Sequence, residues 1–148
     1  MPVVHVETEI EASATDIWDV LTDFETYEEW NPVFVEAHGE AKQNARIWMR
    51  VEPSGGPDRD WVMRITEHDE PRRLEWVGTL LAPFVFRGLH AFELEPLEGD
   101  RTLVANHERM NGLLSRFIDI EQFHEEYEAV NEALKQRVES RSRIPTST

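Results

Sequence analysis

Two histidines, a glutamate and a tyrosine are the side chains of this 148-residue sequence whose types and spacing could do acid–base chemistry. His90 and Glu108 lie on two successive apolar segments, where a carboxylate beside an imidazole would hold one tautomer of a general base. His124 and Tyr127 lie at the edge of an apolar stripe on a later helical pattern. We expect these groups to supply a few hydrogen bonds inside an otherwise apolar cavity, with His90 and Glu108 as candidate catalytic residues. The alternative is that His90 and Glu108 form a structural pair and that His124 lies in water.

Other kinds of chemistry lack support in the sequence. His90, His107, Glu108 and His124 could be assembled into a metal site on paper, but no histidine pair has i, i+4 spacing on a helix. The chain has no cysteine, which excludes thiolate ligands and disulfides. No serine or threonine lies in a nucleophile motif, and Gly55-Gly56 lacks the Lys-Ser/Thr of a phosphate-binding loop. We therefore predict no metal and no cofactor.

The elements that would position these residues follow from hydrophobic periodicity. Residues 4–11 alternate as a strand, and two short helices follow, the second capped by Asp23 and ended by Pro32. A turn is predicted at 54–58, and residues 113–140 are predicted to form one long helix with an apolar stripe. Six further strands are predicted at 33–40, 46–53, 60–67, 73–80, 85–96 and 102–110.

Connections this short favour an antiparallel sheet, and one long helix across its concave side leaves unfilled volume that is a natural ligand site. The alternation of the sixth strand points His90 inward. A three-residue hairpin loop would pair His90 with Glu108 and Phe92 with Asn106, whereas a loop one residue longer would turn His107 inward. We favour Glu108, because that register also buries the apolar residues of the last strand.

Composition restricts the possible partners. The formal charge of −15 makes nucleic acid and anionic lipid unfavourable partners, because like charges repel. Only Lys42 and Lys135 are lysines, which fits either adaptation to concentrated salt or an ordinary arginine-rich acidic protein. No apolar stretch approaches the roughly 18 residues of a membrane span, and the N-terminus lacks a signal pattern. We expect a cytoplasmic protein without stable membrane insertion, with one domain at 1–140 and a flexible tail at 141–148.

Several segments carry a family resemblance: IEASATDIWDVLTD leading to YEEWNP, then GLHAFELEP, and GDRT through HERMNGLL. Together they resemble the START-like superfamily, also called SRPBCC, which includes polyketide cyclases and Bet v 1-like allergens. The resemblance implies an α+β helix-grip fold, a curved antiparallel sheet of about seven strands in β-α-α-β6-α order around a long C-terminal helix.

The resemblance also implies that the cavity between sheet and helix binds a small hydrophobic molecule, which would be aromatic, polyketide-like or a lipid. Trp30 would then belong to the cavity wall or entrance, although we slightly favour a purely structural anchor for this residue. The side chains predicted to contact the ligand are Trp30, Phe34, Met49, Trp61, Met63, Trp76, Phe86, Phe92, Asn106, Phe117, His124 and Tyr127.

Two alternative functions remain open. In the first, the chain is a cyclase or dehydratase in which His90, assisted by Glu108, acts as a general base. In the second, it is an interaction module of the Hsp90-activator type, for which the sequence shows no exposed apolar patch. The sequence identifies no protein partner.

Overall fold

The computed structural model describes residues 2–53 and 57–143, with side chains as far as Arg141. Residues 54–56 of the predicted turn and 144–148 of the predicted tail lie outside the described residues. The elements in chain order are β1 (Val3–Ile10), α1 (Ala14–Thr22), a 3₁₀ helix (Phe24–Glu29), β2 (Phe34–His38), β3 (Arg46–Val51), β4 (Arg59–Asp69), β5 (Arg73–Leu80), β6 (Phe86–Leu97), β7 (Arg101–Asn111), a second 3₁₀ helix (Leu113–Phe117) and α2 (Ile120–Arg143).

The seven strands form one antiparallel sheet in the order β1-β7-β6-β5-β4-β3-β2, which confirms the predicted α+β helix-grip fold. The sheet curls around α2, which packs mainly against β1 and also contacts β7 and α1. Within the described ranges, no helix is long and apolar enough to cross a membrane.

Side-chain caps shape the connection from β1 to β2. The Ser13 side chain accepts a hydrogen bond from the backbone N–H of Asp16 at 3.1 Å and starts α1. The predicted cap at Asp23 is wrong, because its side chain makes no capping hydrogen bond and it only links α1 to the 3₁₀ helix. Asn31 Oδ1 then accepts two backbone N–H groups, at 3.0 and 2.9 Å, and turns the chain into β2.

The last helix starts later than predicted, at Ile120 instead of Leu113. The backbone N–H of Leu113 donates to the carbonyl of Phe84 at 3.0 Å, so this segment is bonded to the β5–β6 connection and forms only a short 3₁₀ helix. Phe117 is left 84% exposed, and Leu81, Phe84 and Leu113 are exposed with it. Four large apolar side chains are thus exposed on the two segments that this hydrogen bond joins.

A buried polar clamp fixes the middle of α2 to the sheet. Asn106 of β7 donates to Asn131 Oδ1 at 3.0 Å, and Asn131 donates in turn to Thr8 Oγ1 of β1 at 3.1 Å. Both asparagines are fully buried, and these bonds satisfy both side-chain groups of Asn131 and the amide N–H of Asn106, whereas Asn106 Oδ1 has no partner among the described residues.

Candidate functional site

The site is built on a row of three residues across the middle of the sheet. His90 of β6 lies opposite Trp76 of β5 on one side and opposite Glu108 of β7 on the other. The predicted pairing of His90 with Glu108 is therefore confirmed. The alternative register is wrong, because His107 lies on the outer face, where its ring stacks on His5.

His90 is enclosed by aromatic rings and is only 2% exposed. Its imidazole stacks on the indole of Trp76, with ring centroids 5.2 Å apart and an interplanar angle of 13°. Phe34 and Tyr127 meet it edge-on at 5.3 and 4.8 Å, and Phe92 lies beneath it at 5.1 Å. This packing fixes the orientation of the imidazole.

The polar partners of His90 come from β7 and α2. His90 Nδ1 lies 3.6 Å from Glu108 Oε1, and the Tyr127 hydroxyl donates a hydrogen bond to the same carboxylate. Burial raises the pKa of Tyr127 well above its ordinary value, and the negative charges of Glu108 and Glu126 raise it further. Among the described residues, His90 Nε2 has no hydrogen-bond partner.

Two glycines make the space beside this polar group. Gly78 and Gly88 lie opposite each other on β5 and β6. A Cβ at Gly88 would overlap the Glu108 carboxylate, and a Cβ at Gly78 would lie 2.6 Å from Met63 Sδ. Neither glycine has a positive φ, so the requirement is for space and not for an unusual backbone.

The row and the glycines face a cavity of about 150 Å³ between the sheet and the first turns of α2. Its walls are mainly aromatic and apolar side chains, which are Phe34, Trp61, Met63, Trp76, Phe86, Phe123 and Tyr127. His90, Glu108 and Glu126 are the polar groups deepest in it, and Arg59 lies at its exposed mouth. The arrangement can hold an apolar body and orient one polar head group.

Eight of the predicted site residues line this cavity. They are Phe34, Trp61, Met63, Trp76, Phe86, His90, Glu108 and Tyr127. Lining the cavity is a matter of geometry, and ligand contact by these residues stays a prediction.

Six predicted residues lie elsewhere. Met49 and Phe92 are buried in the core beneath the cavity, and Asn106 belongs to the clamp on α2. Trp30 packs edge-on against Tyr27 at 5.1 Å and does not line the cavity, which favours the structural reading of this residue. Phe117 is exposed, because the segment that carries it is not part of α2.

His124 is the sixth of these residues, and its predicted place at the cavity is wrong. Its side chain is 48% exposed, and its Nδ1 lies 2.7 Å from the carboxylate of Glu128 one turn later. The face of α2 that meets the cavity carries Phe123 and Tyr127, so His124 is directed toward the edge of β1.

Glu126 is the main residue that the sequence analysis missed. It belongs to a run of glutamates typical of a solvated helix face. In the structure it is only 5% exposed and lines the cavity. Its spacing was the available signal, since Glu126 lies three residues after Phe123 and four before Val130, both on the apolar stripe.

No cluster of three or more metal-ligating side chains occurs in the part of the chain that the structure describes. The four residues considered for a metal site are separated, because His107 and His124 face away from the cavity that His90 and Glu108 line.

Comparisons with known proteins agree with this architecture. The family model for polyketide cyclase / dehydrase and lipid transport matches residues 1–139. A START superfamily protein from Mycobacterium smegmatis matches with a TM-score of 0.76 at 23% identity, and the match covers 93% of this chain and 97% of the other chain. The Zhui aromatase/cyclase from a Streptomyces species has a TM-score of 0.70 at 19% identity, covering 99% of each chain. At these identities the likeness shows a shared fold. No curated protein matches the chain.

Proposed function

Because the chain belongs to the polyketide cyclase/dehydrase and lipid transport family, we propose that it binds a small, largely apolar aromatic molecule in the cavity between the sheet and α2. The observation that carries this proposal is the composition of the cavity, in which aromatic walls surround one polar corner formed by His90, Glu108 and Tyr127. Pockets of this kind hold a ligand through apolar contact and orient it with a few polar groups.

The size of the cavity limits what it holds. Its volume of about 150 Å³ is that of an engineered cavity known to bind benzene, so one aromatic ring fits and a longer ligand would extend through the mouth. Burying a ring removes about 150–250 Å² from water, which at about 25 cal/mol per Å² contributes about 4–6 kcal/mol. We expect dissociation constants between about 1 mM and some tens of micromolar for a single neutral ring.

An NMR titration with indole or naphthalene tests the proposal. The sequence contains five tryptophans, and their indole N–H signals report separately on different parts of the molecule. Trp61 and Trp76 line the cavity, whereas Trp18 is buried in the core and Trp48 stacks on His38 at the outer face. Saturable shifts of the Trp61 and Trp76 signals are expected, with the Trp18 and Trp48 signals unmoved.

A matched pair of variants sharpens this test. Trp61 and Trp48 lie on neighbouring strands but on opposite faces of the sheet. Trp61→Ala should weaken binding at least about tenfold, because it removes one aromatic wall. Trp48→Ala should leave binding unchanged. Equal effects of the two variants, or titration of all five indole signals together, would contradict binding in this cavity.

A proton-transfer activity is the second candidate function. The observation that favours it is the buried Nε2 of His90, which has no hydrogen-bond partner in the described part of the chain, while the other ring nitrogen faces Glu108. In a dehydration, Nε2 would take the proton from the carbon beside a substrate carbonyl, leaving the C–H electron pair in an enolate. Loss of the β-hydroxyl as water would consume the same proton and restore the neutral imidazole. Glu108 would stabilise the transient imidazolium.

Deuterium exchange at the carbon beside the carbonyl of an aromatic β-hydroxyketone tests this step in D₂O. The wild-type protein should accelerate the exchange, and His90→Gln should lower the rate by about 10²-fold or more while binding persists. His107→Gln is the control, because His107 lies on the outer face of the neighbouring strand. Equal exchange rates in wild type and His90→Gln would exclude His90 as the base.

A further inference from the structure

One nitrogen of the His90 ring is left without a hydrogen bond at the wall of the cavity. The residue lines the cavity and is only 2% exposed, and Nε2 makes no hydrogen bond with any residue that the structure describes. The other nitrogen, Nδ1, lies 3.6 Å from Glu108 Oε1. A buried polar atom without a partner is unfavourable, so a molecule that bonds to Nε2 gains stability at this place.

Packing holds the imidazole in one orientation. Trp76 stacks on its face, and Phe34 and Tyr127 meet it edge-on. A half-turn of the ring would put Cδ2 in the place of Nδ1 and would remove the contact with Glu108. Nε2 therefore keeps its direction and does not gain a partner by rotation of its own ring.

The position of the ring proton makes Nε2 an acceptor. A neutral imidazole carries one N–H, and a lone pair at Nδ1 would be repelled by the Glu108 carboxylate, so the proton belongs on Nδ1. The Tyr127 hydroxyl donates to the same carboxylate, and burial keeps that hydroxyl protonated by raising the pKa of Tyr127. The series from Tyr127 through Glu108 to Nδ1 thus leaves a lone pair on Nε2.

The described walls around His90 offer this lone pair no donor. Phe34, Met63 and Phe86 have no polar hydrogen, and Trp76 presents the face of its ring. The hydroxyl of Tyr127 is already committed to Glu108. A donor for Nε2 would therefore come from a molecule that enters the cavity.

We infer that the ligand of this cavity carries a neutral hydrogen-bond donor on its aromatic body, either a phenol-type O–H or a ring N–H, which donates to His90 Nε2. The inference rests on the proposed function and narrows it. It disfavours aromatic molecules whose polar atoms only accept hydrogen bonds, because these leave Nε2 without a partner. It also disfavours an anionic head group, which the nearby Glu108 carboxylate would repel.

Two pairs of probes of similar shape test the inference at pH 7. Phenol and toluene differ by a hydroxyl against a methyl group, and indole and 1-benzothiophene differ by an N–H against a sulfur atom. Each probe is titrated and followed by the indole signals of Trp61 and Trp76, which line the cavity. We define the donor preference of a protein as the dissociation constant of the second member of a pair divided by that of the first.

A matched pair of variants isolates the part of this preference that comes from Nε2. His90→Phe keeps an aromatic ring and removes the acceptor, whereas His107→Phe makes the same change on the outer face of the neighbouring strand. The donor preference should fall at least about fivefold in His90→Phe, because the donor of the ligand is then buried without a partner. It should stay unchanged in His107→Phe. Comparing preferences between proteins cancels the difference in hydration between the two probes, and thermal melting checks that both variants fold.

Nitrogen-15 NMR of the His90 imidazole tests the same inference on the unaltered protein. In the free protein Nδ1 should carry the proton and Nε2 should be unprotonated. Phenol should then shift the Nε2 signal more than toluene does. A proton found on Nε2 in the free protein, or equal shifts with phenol and toluene, would overturn the inference even if His90→Phe does not fold.

Failure of the inference is distinguishable from failure of the proposed function. If the probes bind but wild type and His90→Phe have the same donor preference, the inference is overturned and the proposed apolar site stands. Equal losses of donor preference in His90→Phe and His107→Phe would overturn the inference as well. If none of the four probes binds, both the inference and the proposed function fail.

Discussion

Gly88→Ala places a methyl group where the Glu108 carboxylate lies. Glu108 must then move, and it loses the hydrogen bond from Tyr127 and its position beside His90 Nδ1. A hydrogen bond to a charged group contributes about 1.5–3 kcal/mol to stability. Replacing glycine with alanine at a compatible backbone stabilises the fold by about 0.4–1 kcal/mol, because it reduces the conformational entropy of the unfolded chain. We therefore expect Gly88→Ala to lower the free energy of unfolding by about 1–2 kcal/mol.

Urea unfolding followed by circular dichroism measures this change as a shift of the midpoint at constant slope. Gly78→Ala is the control on the facing strand, because its added methyl meets Met63 Sδ at 2.6 Å and Trp61 Cε3 at 3.1 Å instead of a carboxylate. The effect of Gly88→Ala should also shrink in a Tyr127→Phe background, where the hydrogen bond is already absent. Strict additivity of Gly88→Ala and Tyr127→Phe would refute the reasoning, since it would show that the methyl does not act through Glu108.

Three further predictions follow from burial and charge. Burial raises the pKa of both tyrosines, Tyr27 and Tyr127, so above about pH 10 the unfolded chain releases protons that the folded chain keeps, and stability should fall. Absorbance near 295 nm should then show phenolate only when the protein unfolds. Burial, with the charge of Arg73, lowers the pKa of His107 to about 4, so the free energy of unfolding should fall as pH drops from about 6.5 toward about 4. A His107→Gln variant whose stability falls just as steeply over this pH range would contradict the prediction. Trp30→Ala should lower the free energy of unfolding by about 1–3 kcal/mol, because Trp30 packs on Tyr27, and calorimetric titration should show unchanged ligand affinity.

The strands and the His90–Glu108 pairing were predictable because a one-residue slip in an antiparallel hairpin turns every side chain to the other face. Only one register kept both the apolar residues and His90 inward. The start of α2 was not predictable by the same means. The segment from Leu113 has no helix breaker, and its backbone departs from α2 because it bonds to Phe84, a contact that periodicity cannot reveal.

The candidate site was likewise predictable only in part. Residues placed by strand alternation, such as Trp61 and Trp76, line the cavity as expected. Glu126 was missed because residue type alone assigns a glutamate to water, whereas its position on the helical stripe decides its burial. Asn106 was assigned to the ligand because an inward polar residue fits either a site or an internal hydrogen bond, and only the three-dimensional partner, Asn131, distinguishes the two.

The clamp at Asn131 divides α2 into two halves with separate tasks. Before the clamp, Phe123, Glu126 and Tyr127 face the cavity; after it, Leu134 and Val138 fill the core and line no part of the cavity. The positions of α2 that line the cavity thus all precede the clamp, and Leu134 and Val138 after it serve the core alone. A protein engineer could therefore vary the cavity-facing positions before the clamp to change which molecules fit, while keeping the core contacts of Leu134 and Val138.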